Sequence, residues 1–215
     1  MKIKICCISS RAEAELAVAC GADALGLVSA MPSGPGVIEE ELIASIAKNT
    51  HLPVATFLLT SLQSVEEIAA QQRRCRTNTI QICDRLDHAA YARLREALPG
   101  IALVQVIHVR DERSVIEAEA IAPAVDALLL DSGNPSLKVK ELGGTGRVHD
   151  WNLSREICRR VSVPVFLAGG LGPENVADAI ATVRPFAVDV CSGVRTDGRL
   201  DEKKLCRFIA AAKSL

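Results

Sequence analysis

Two glycine-rich turns near the C-terminus carry a clear chemical signal: Leu167-Ala-Gly-Gly-Leu-Gly-Pro-Glu-Asn175 and Val188-Asp-Val-Cys-Ser-Gly-Val194. Each is an apolar run that stops at small residues, with a helical pattern following. Glycine lets backbone approach a ligand closely, and the free N–H groups at a helix start favour an anion. Cys6 and Asp131 also end apolar runs. A free thiol has a pKa of about 8.5, and a nearby cation or dipole brings part of it to thiolate, a base. A carboxyl raised towards neutrality at the mouth of a site serves as an acid. The set is suited to moving protons on a phosphorylated small molecule. The same residues also read as a buried cysteine and an aspartate that orders the loop after it.

Positioning these groups requires a frame. Apolar or β-branched runs at 3–6, 24–29, 53–58, 79–82, 102–108, 127–131, 163–168 and 187–191 predict strands. Helical patterns follow at 11–20, 39–48, 64–74, 87–97, 112–121, 152–160, 174–182 and 201–213. Strands alternating with helices imply a parallel sheet covered on both faces. Eight such units favour an α/β closed barrel, the (β/α)8 fold, whose chemistry sits at the C-terminal strand ends. Glycine loops after strands 7 and 8 are where such a barrel holds phosphate. The longest non-periodic stretch, 132–150, contains Gly143-Gly-Thr145-Gly146 and is expected to be a lid. No linker divides the chain, so residues 1–215 are expected to form one domain.

Composition narrows the partners. The 215 residues are 49% hydrophobic and 24% charged with a formal net charge of −1, an ordinary globular balance. One Trp, one Tyr and four Phe offer few stacking platforms, and no basic cluster stands out, so nucleic acid is not an expected partner. The apolar runs are strand-sized, too short for a membrane span, and the N-terminus has no signal-peptide core, so a cytoplasmic location is expected. Eight cysteines then read as free thiols, with Cys20, Cys75, Cys158 and Cys206 expected as small core residues. No CxxC or comparable ligand spacing occurs, so no metal is expected. Composition leaves monomer and homodimer equally open.

The motifs taken in order resemble the phosphoribosylanthranilate isomerase family of tryptophan biosynthesis over nearly the whole chain. They are Lys4-Ile-Cys6, Gly21-Ala-Asp-Ala-Leu-Gly26, Val125-Asp-Ala-Leu-Leu-Leu-Asp131, Gly143-Gly-Thr-Gly-Arg147, His149-Asp-Trp151, Leu167-Ala-Gly-Gly-Leu171, Pro173-Glu-Asn-Val176, Pro185-Phe-Ala-Val-Asp-Val190 and Ser192-Gly-Val194. The resemblance implies a (β/α)8 barrel and an Amadori rearrangement of an N-linked phosphoribosyl amine, with no metal or organic cofactor. It implies that Asp131 protonates the furanose ring oxygen and that Cys6 removes the C2 proton. It also implies that backbone around Gly169, Gly170, Ser192 and Gly193 holds the phosphate. The loop Gly143, Gly144, Thr145, Gly146 and Arg147 would close over the substrate.

Three motifs depart from the family. Lys-Ile-Cys-Gly is here Lys4-Ile-Cys6-Cys7, which places a side chain where a positive φ would favour glycine. The family's Ser-Pro-Arg after strand 2, whose arginine pairs with the anthranilate carboxylate, is here Met31-Pro-Ser33-Gly34-Pro35-Gly36. Gln-Leu-His-Gly after strand 4 is Gln81-Ile-Cys83-Asp84. Arg110, Arg147 and Arg195 are candidates to supply the missing cation, and Cys7, Gln81, Cys83 and His108 are candidate substrate contacts. His149 and Asp150 are expected at a helix start before Trp151. Two alternatives stay open: an isomerase of another phosphoribosyl amine, and a non-catalytic phosphosugar binder.

Overall fold

In each predicted strand the side chains alternate between two buried environments, and that period of two sets the architecture. Ile3, Ile5, Leu25, Leu27, Ile80, Ile82, Leu128, Leu130, Val188 and Val190 pack outward with helix residues in one apolar cluster. Cys6, Val28, Phe57, Leu59, Cys83, Val104, Leu129, Phe166, Ala168 and Ala187 form a second cluster inside. Both faces of the sheet are therefore buried, as a closed parallel sheet ringed by helices requires.

The structure is a computed structural model and describes residues 1–144 and 146–214; Thr145, expected in the covering loop, lies outside them. Strands β1 (Lys2–Ile5), β2 (Ala24–Val28), β3 (Ala55–Thr60), β4 (Thr79–Ile82), β5 (Ala102–His108), β6 (Ala127–Asp131), β7 (Val165–Leu167) and β8 (Ala187–Val190) close into a barrel in chain order. All neighbours are parallel, and the seam pairs Ile5 of β1 with Val190 of β8. Helices α1 (Arg11–Ala19), α2 (Glu40–Asn49), α3 (Val65–Cys75), α4 (His88–Ala97), α5 (Arg113–Ile121), α6 (Trp151–Arg160), α7 (Val176–Val183) and α8 (Glu202–Lys213) follow the strands. Side chains of Ser10, Ser64, Asp150 and Asp201 accept from free N–H groups at the starts of α1, α3, α6 and α8. Among the described residues no helix is long and apolar enough to cross a membrane.

Differences from the expected boundaries have local causes. Helix α7 begins at Val176 rather than 174, because the Asn175 side chain shapes the loop before it: Oδ1 accepts from Gly172 N at 2.8 Å and Nδ2 donates to Gly170 O at 3.0 Å. Between β8 and α8 the chain forms a small antiparallel hairpin, β9 (Arg195–Thr196) and β10 (Arg199–Leu200), too short to show a hydrophobic period. Cys75 is buried as expected, but Cys206 is exposed and Cys20 only half-buried. Cys206 lies on the outward side of α8, whose buried face is Leu205, Phe208, Ile209 and Ala212.

Arg195 ties the seam. It forms a two-pronged ion pair with Glu13 of α1, at 2.9 and 3.0 Å, and also donates to Cys7 O. Burial alone would raise the Glu13 carboxyl. Arg195 and the backbone N–H groups of Leu200 and Ser9 outweigh it and hold the carboxyl at about 2, below the ordinary 4.5. A depressed carboxyl contributes stability that is complete above the unfolded value and is lost as pH falls through the folded one. The wild-type chain should therefore lose roughly 2–3 kcal/mol between about pH 5 and pH 2 from this site. Glu13→Gln should be less stable at neutral pH and lack that part of the acid slope, as measured by urea unfolding at a series of pH values. Equal slopes would contradict this role for the pair.

Candidate active site

Inward parity brings the chemistry together. Cys6 follows β1 and Asp131 ends β6; both line one cavity at the C-terminal end of the barrel. Cys7, Gln81, Cys83, Gly143, Gly144, Gly146, Gly169, Gly170 and Ser192 line the same cavity. Gly193 stands just behind the wall, where the two glycine loops meet. A Cβ on Gly193 would fall 2.0 Å from Leu171 O and 2.9 Å from the Gly172 Cα, so only glycine permits this contact.

The carboxylate of Asp131 is buried between that cradle and the loop above it. Its Oδ1 accepts from Ser132 N at 2.7 Å. Cβ atoms on Gly143 and Gly169 would stand 2.6 Å from Oδ2 and 3.3 Å from Oδ1. The covering segment is seated on the loop after β2 by Ser33, whose hydroxyl donates to Lys140 O at 2.6 Å, and by Gly144 against Pro35. Gly146 reaches the cradle, its notional Cβ 3.6 Å from Ser192 Oγ.

Beneath Cys6 lies a buried ion pair that the sequence reading missed. Lys4, fully buried, donates to Asp189 at 3.0 Å, and its ammonium stands over the Phe57 ring at 5.2 Å. Burial opposes the charge on Lys4, but the Asp189 carboxylate, with Cys6 and Cys7 nearby, outweighs it and raises the Lys4 pKa. A Cβ on Gly26 would fall 2.9 Å from Cys6 Sγ and 3.1 Å from Lys4 Nζ, so the thiol and the ammonium flank the same glycine. A charged residue alternating with isoleucines in Lys2-Ile-Lys4-Ile, and the same in Val188-Asp189-Val190, was the available signal.

The departures resolve as follows. Cys7 adopts φ +61°, the left-handed region that favours glycine, with its sulfur 2.7 Å from Cys191 Sγ. Burial, the largest cause, pushes the Cys83 thiol up to about 12. Gln81 Oε1 is buried without a hydrogen-bond partner among the described residues, an acceptor available to a ligand. His108, expected as a contact, is outside the cavity lining; it bonds Cys83 O at 3.1 Å, and burial lowers its pKa. His149 likewise pairs with Ser154 Oγ at 2.6 Å, and Asp150 alone caps the helix.

None of the three candidate cations lines the cavity. Arg195 is engaged by Glu13, Arg147 pairs with Glu141, and Arg110 donates to Ser136. No arginine, lysine or histidine is among the described residues that line it. Its wall on the β2 side is neutral: Met31, Ser33, Pro35 and Leu142.

A closed (β/α)8 barrel carrying a thiol, a carboxyl and two interlocked glycine loops at its mouth is the frame of an enzyme that handles phosphorylated sugars. The chain belongs to the N-(5'-phosphoribosyl)anthranilate isomerase family, whose model matches residues 3–211. It is 35% identical to N-(5'-phosphoribosyl)anthranilate isomerase 2 of Methanosarcina mazei, covering 100% of this chain and 95% of that protein. It is 33% identical to the isomerase of Methanocella arvoryzae, covering 96% and 94%. The crystal structure of the Thermotoga maritima enzyme superposes with a TM-score of 0.86 at 30% identity, covering both chains fully. A phosphoribosyl anthranilate isomerase in complex with reduced 1-(o-carboxyphenylamino)-1-deoxyribulose 5-phosphate superposes at 0.83 with 29% identity, again over both whole chains.

Lys4→Met would leave the Asp189 carboxylate buried without its partner. The expected cost is about 3–5 kcal/mol of unfolding free energy, most of it recovered in Lys4→Met/Asp189→Leu. Denaturant titration of the two variants checks this, and a loss below about 1 kcal/mol in the single variant would count against it.

Proposed function

We propose that this chain, acting as one (β/α)8 domain in the cytoplasm, converts N-(5'-phosphoribosyl)anthranilate to 1-(2-carboxyphenylamino)-1-deoxyribulose 5-phosphate, a step of tryptophan biosynthesis. The observation that carries the reading is the convergence of Cys6 and Asp131 on one cavity that Gly169, Gly170 and Ser192 also line, with Gly193 packed behind them.

The substrate phosphate sits on the backbone of that cradle, where N–H groups and the short turn at Ser192–Val194 favour an anion without a paired cation. Asp131, as the general acid, delivers a proton to the furanose ring oxygen; the C1–O bond breaks and the nitrogen lone pair forms the iminium. The Cys6 thiolate then removes the C2 proton, leaving an enolamine that tautomerises to the ketone. Each step is a proton transfer or a lone-pair shift, so the reaction calls for no redox centre. Gly143 stands over Asp131, and Gln81 Oε1 accepts a hydrogen bond from the sugar or amine. The anthranilate ring lies against Met31, Pro35 and Leu142. Assembly as a monomer or a homodimer is consistent with this site; a structure of engineered monomers of the dimeric Thermotoga maritima enzyme superposes with a TM-score of 0.82.

Loss of anthranilate-type fluorescence on mixing with substrate tests the reading. Cys6→Ser and Asp131→Asn should each lower kcat by about 10²–10⁴ with the fold intact. An inert wild type with circular dichroism of a folded barrel would overturn it.

The neutral wall makes a second expectation. A charge-assisted contact is worth roughly 1.5–3 kcal/mol, or about one to two powers of ten in affinity. Ser33→Arg, which restores a cation after β2, should lower KM for the anthranilate substrate by about ten- to a hundredfold with little change in kcat. An unchanged KM would show that the carboxylate does not face Ser33.

A further inference from the structure

Cys7 and Cys191 take no part in the proposed chemistry, yet both line its cavity. The β1–β8 ladder brings them together: Ile5 pairs with Val190, and Cys6 N donates to Val190 O at 2.8 Å. The chain then turns at Cys7 with φ +61°, a conformation side chains rarely adopt. A Cβ on Gly36 would fall 2.5 Å from the Cys7 Cβ, so the loop after β2 packs tightly on Cys7. Arg195 donates to Cys7 O from the other side. The result is two sulfurs 2.7 Å apart, against about 2.05 Å in a disulfide. Bond formation therefore needs the sulfurs to approach by less than an ångström.

We propose that Cys7 and Cys191 form an oxidisable dithiol at the substrate cavity, closed into a disulfide by a small hydroperoxide, and that the closed form is inactive. The two thiols are unequal. The close contact with Cys7, and then the Arg195 guanidinium, lower the Cys191 pKa against its burial, while the contacts with Cys191 and Cys6, together with burial, push Cys7 well up. Cys191 is accordingly the thiolate that attacks the peroxide. The O–O bond breaks, an alcohol or water leaves with one proton, and Cys191 becomes a sulfenic acid. Cys7 sulfur then attacks the Cys191 sulfur; the S–S bond forms and water departs with the Cys7 proton. The two sulfurs together give up two electrons, and the peroxide takes both.

The crosslink would join the residue after the base to the residue before the phosphate cradle. It fixes the spacing of Cys6 and Ser192, and it removes the thiol that borders Cys6. A second close pair serves as an internal comparison: Cys20 and Cys206 have sulfurs 3.5 Å apart between α1 and α8, outside the cavity.

The switch rests on the isomerase reading only through its activity readout, so crosslinking and ligand affinity are measured separately. The intact protein is treated with stoichiometric hydrogen peroxide. Its disulfides are mapped by peptide mass, and kcat/KM and the affinity for ribose 5-phosphate are measured before and after dithiothreitol. We expect a 7–191 crosslinked peptide, at least a tenfold fall in kcat/KM, a comparable fall in ribose 5-phosphate affinity, and recovery on reduction. Cys20→Ser should respond as wild type does. Cys191→Ser and Cys191→Ala, each compared with its own untreated value and checked by thermal melting, should lose the reversible response. A crosslink confined to 20–206 overturns the proposal. So does a 7–191 crosslink that changes neither activity nor affinity, or an inactivation that survives reduction. If the reduced wild type shows no turnover, the isomerase reading fails, and the crosslink and affinity arms still decide the dithiol.

Discussion

The pair of opposite charges sealed inside the barrel, Lys4 on β1 and Asp189 on β8, is the constraint on which the rest of the site depends. A lone ammonium or carboxylate there would be prohibitively desolvated, so each makes the other admissible. The two residues also face one another in the ladder that closes the barrel. A slip of the β1–β8 register by one residue would turn Lys4 out and Cys6 with it. The pair thus ties closure of the sheet to placement of the thiol. It also sets the Lys4 ammonium beside the Cys6 thiol, across Gly26.

From that seam the site grows by parity. Cys6, Gln81, Cys83, Asp131, Asp189 and Cys191 alternate with outward isoleucines, leucines and valines along their strands, so one period-two rule sends them all towards the axis. The same rule sends Gln105 outward, where Tyr91 donates to it at 2.7 Å. Loops then need only local devices: Asn175 clasps one glycine turn, and close backbone contact at Gly193 locks it to the other.

That division explains what could be read in the sequence. The eight strands and helices were legible because each is an apolar run with its own period and a turn at its end. Asp131 and the glycine loops were legible because strand ends in a barrel share one face. What escaped was long-range: Arg195 and Glu13 lie 182 positions apart, and only the closed ring makes them neighbours. Arg195 was therefore a candidate for the ligand when its guanidinium in fact holds the seam. The β9–β10 hairpin has two residues per strand, too few for a pattern.

The remaining tension is electrostatic. N-(5'-phosphoribosyl)anthranilate is an anion at both ends, and the described lining residues offer no cationic side chain to either. On the proposed reading the phosphate end relies on backbone, since N–H dipoles at a turn attract an anion and are already set by the fold. If the ring lies against Met31, Pro35 and Leu142, as proposed, they give it contact area, which gains affinity without fixing orientation. On that reading the ring would be oriented from the sugar outward, through the proposed phosphate cradle and Asp131. A site built this way places its discrimination at the phosphoribosyl half, and leaves the aglycone to shape more than to charge.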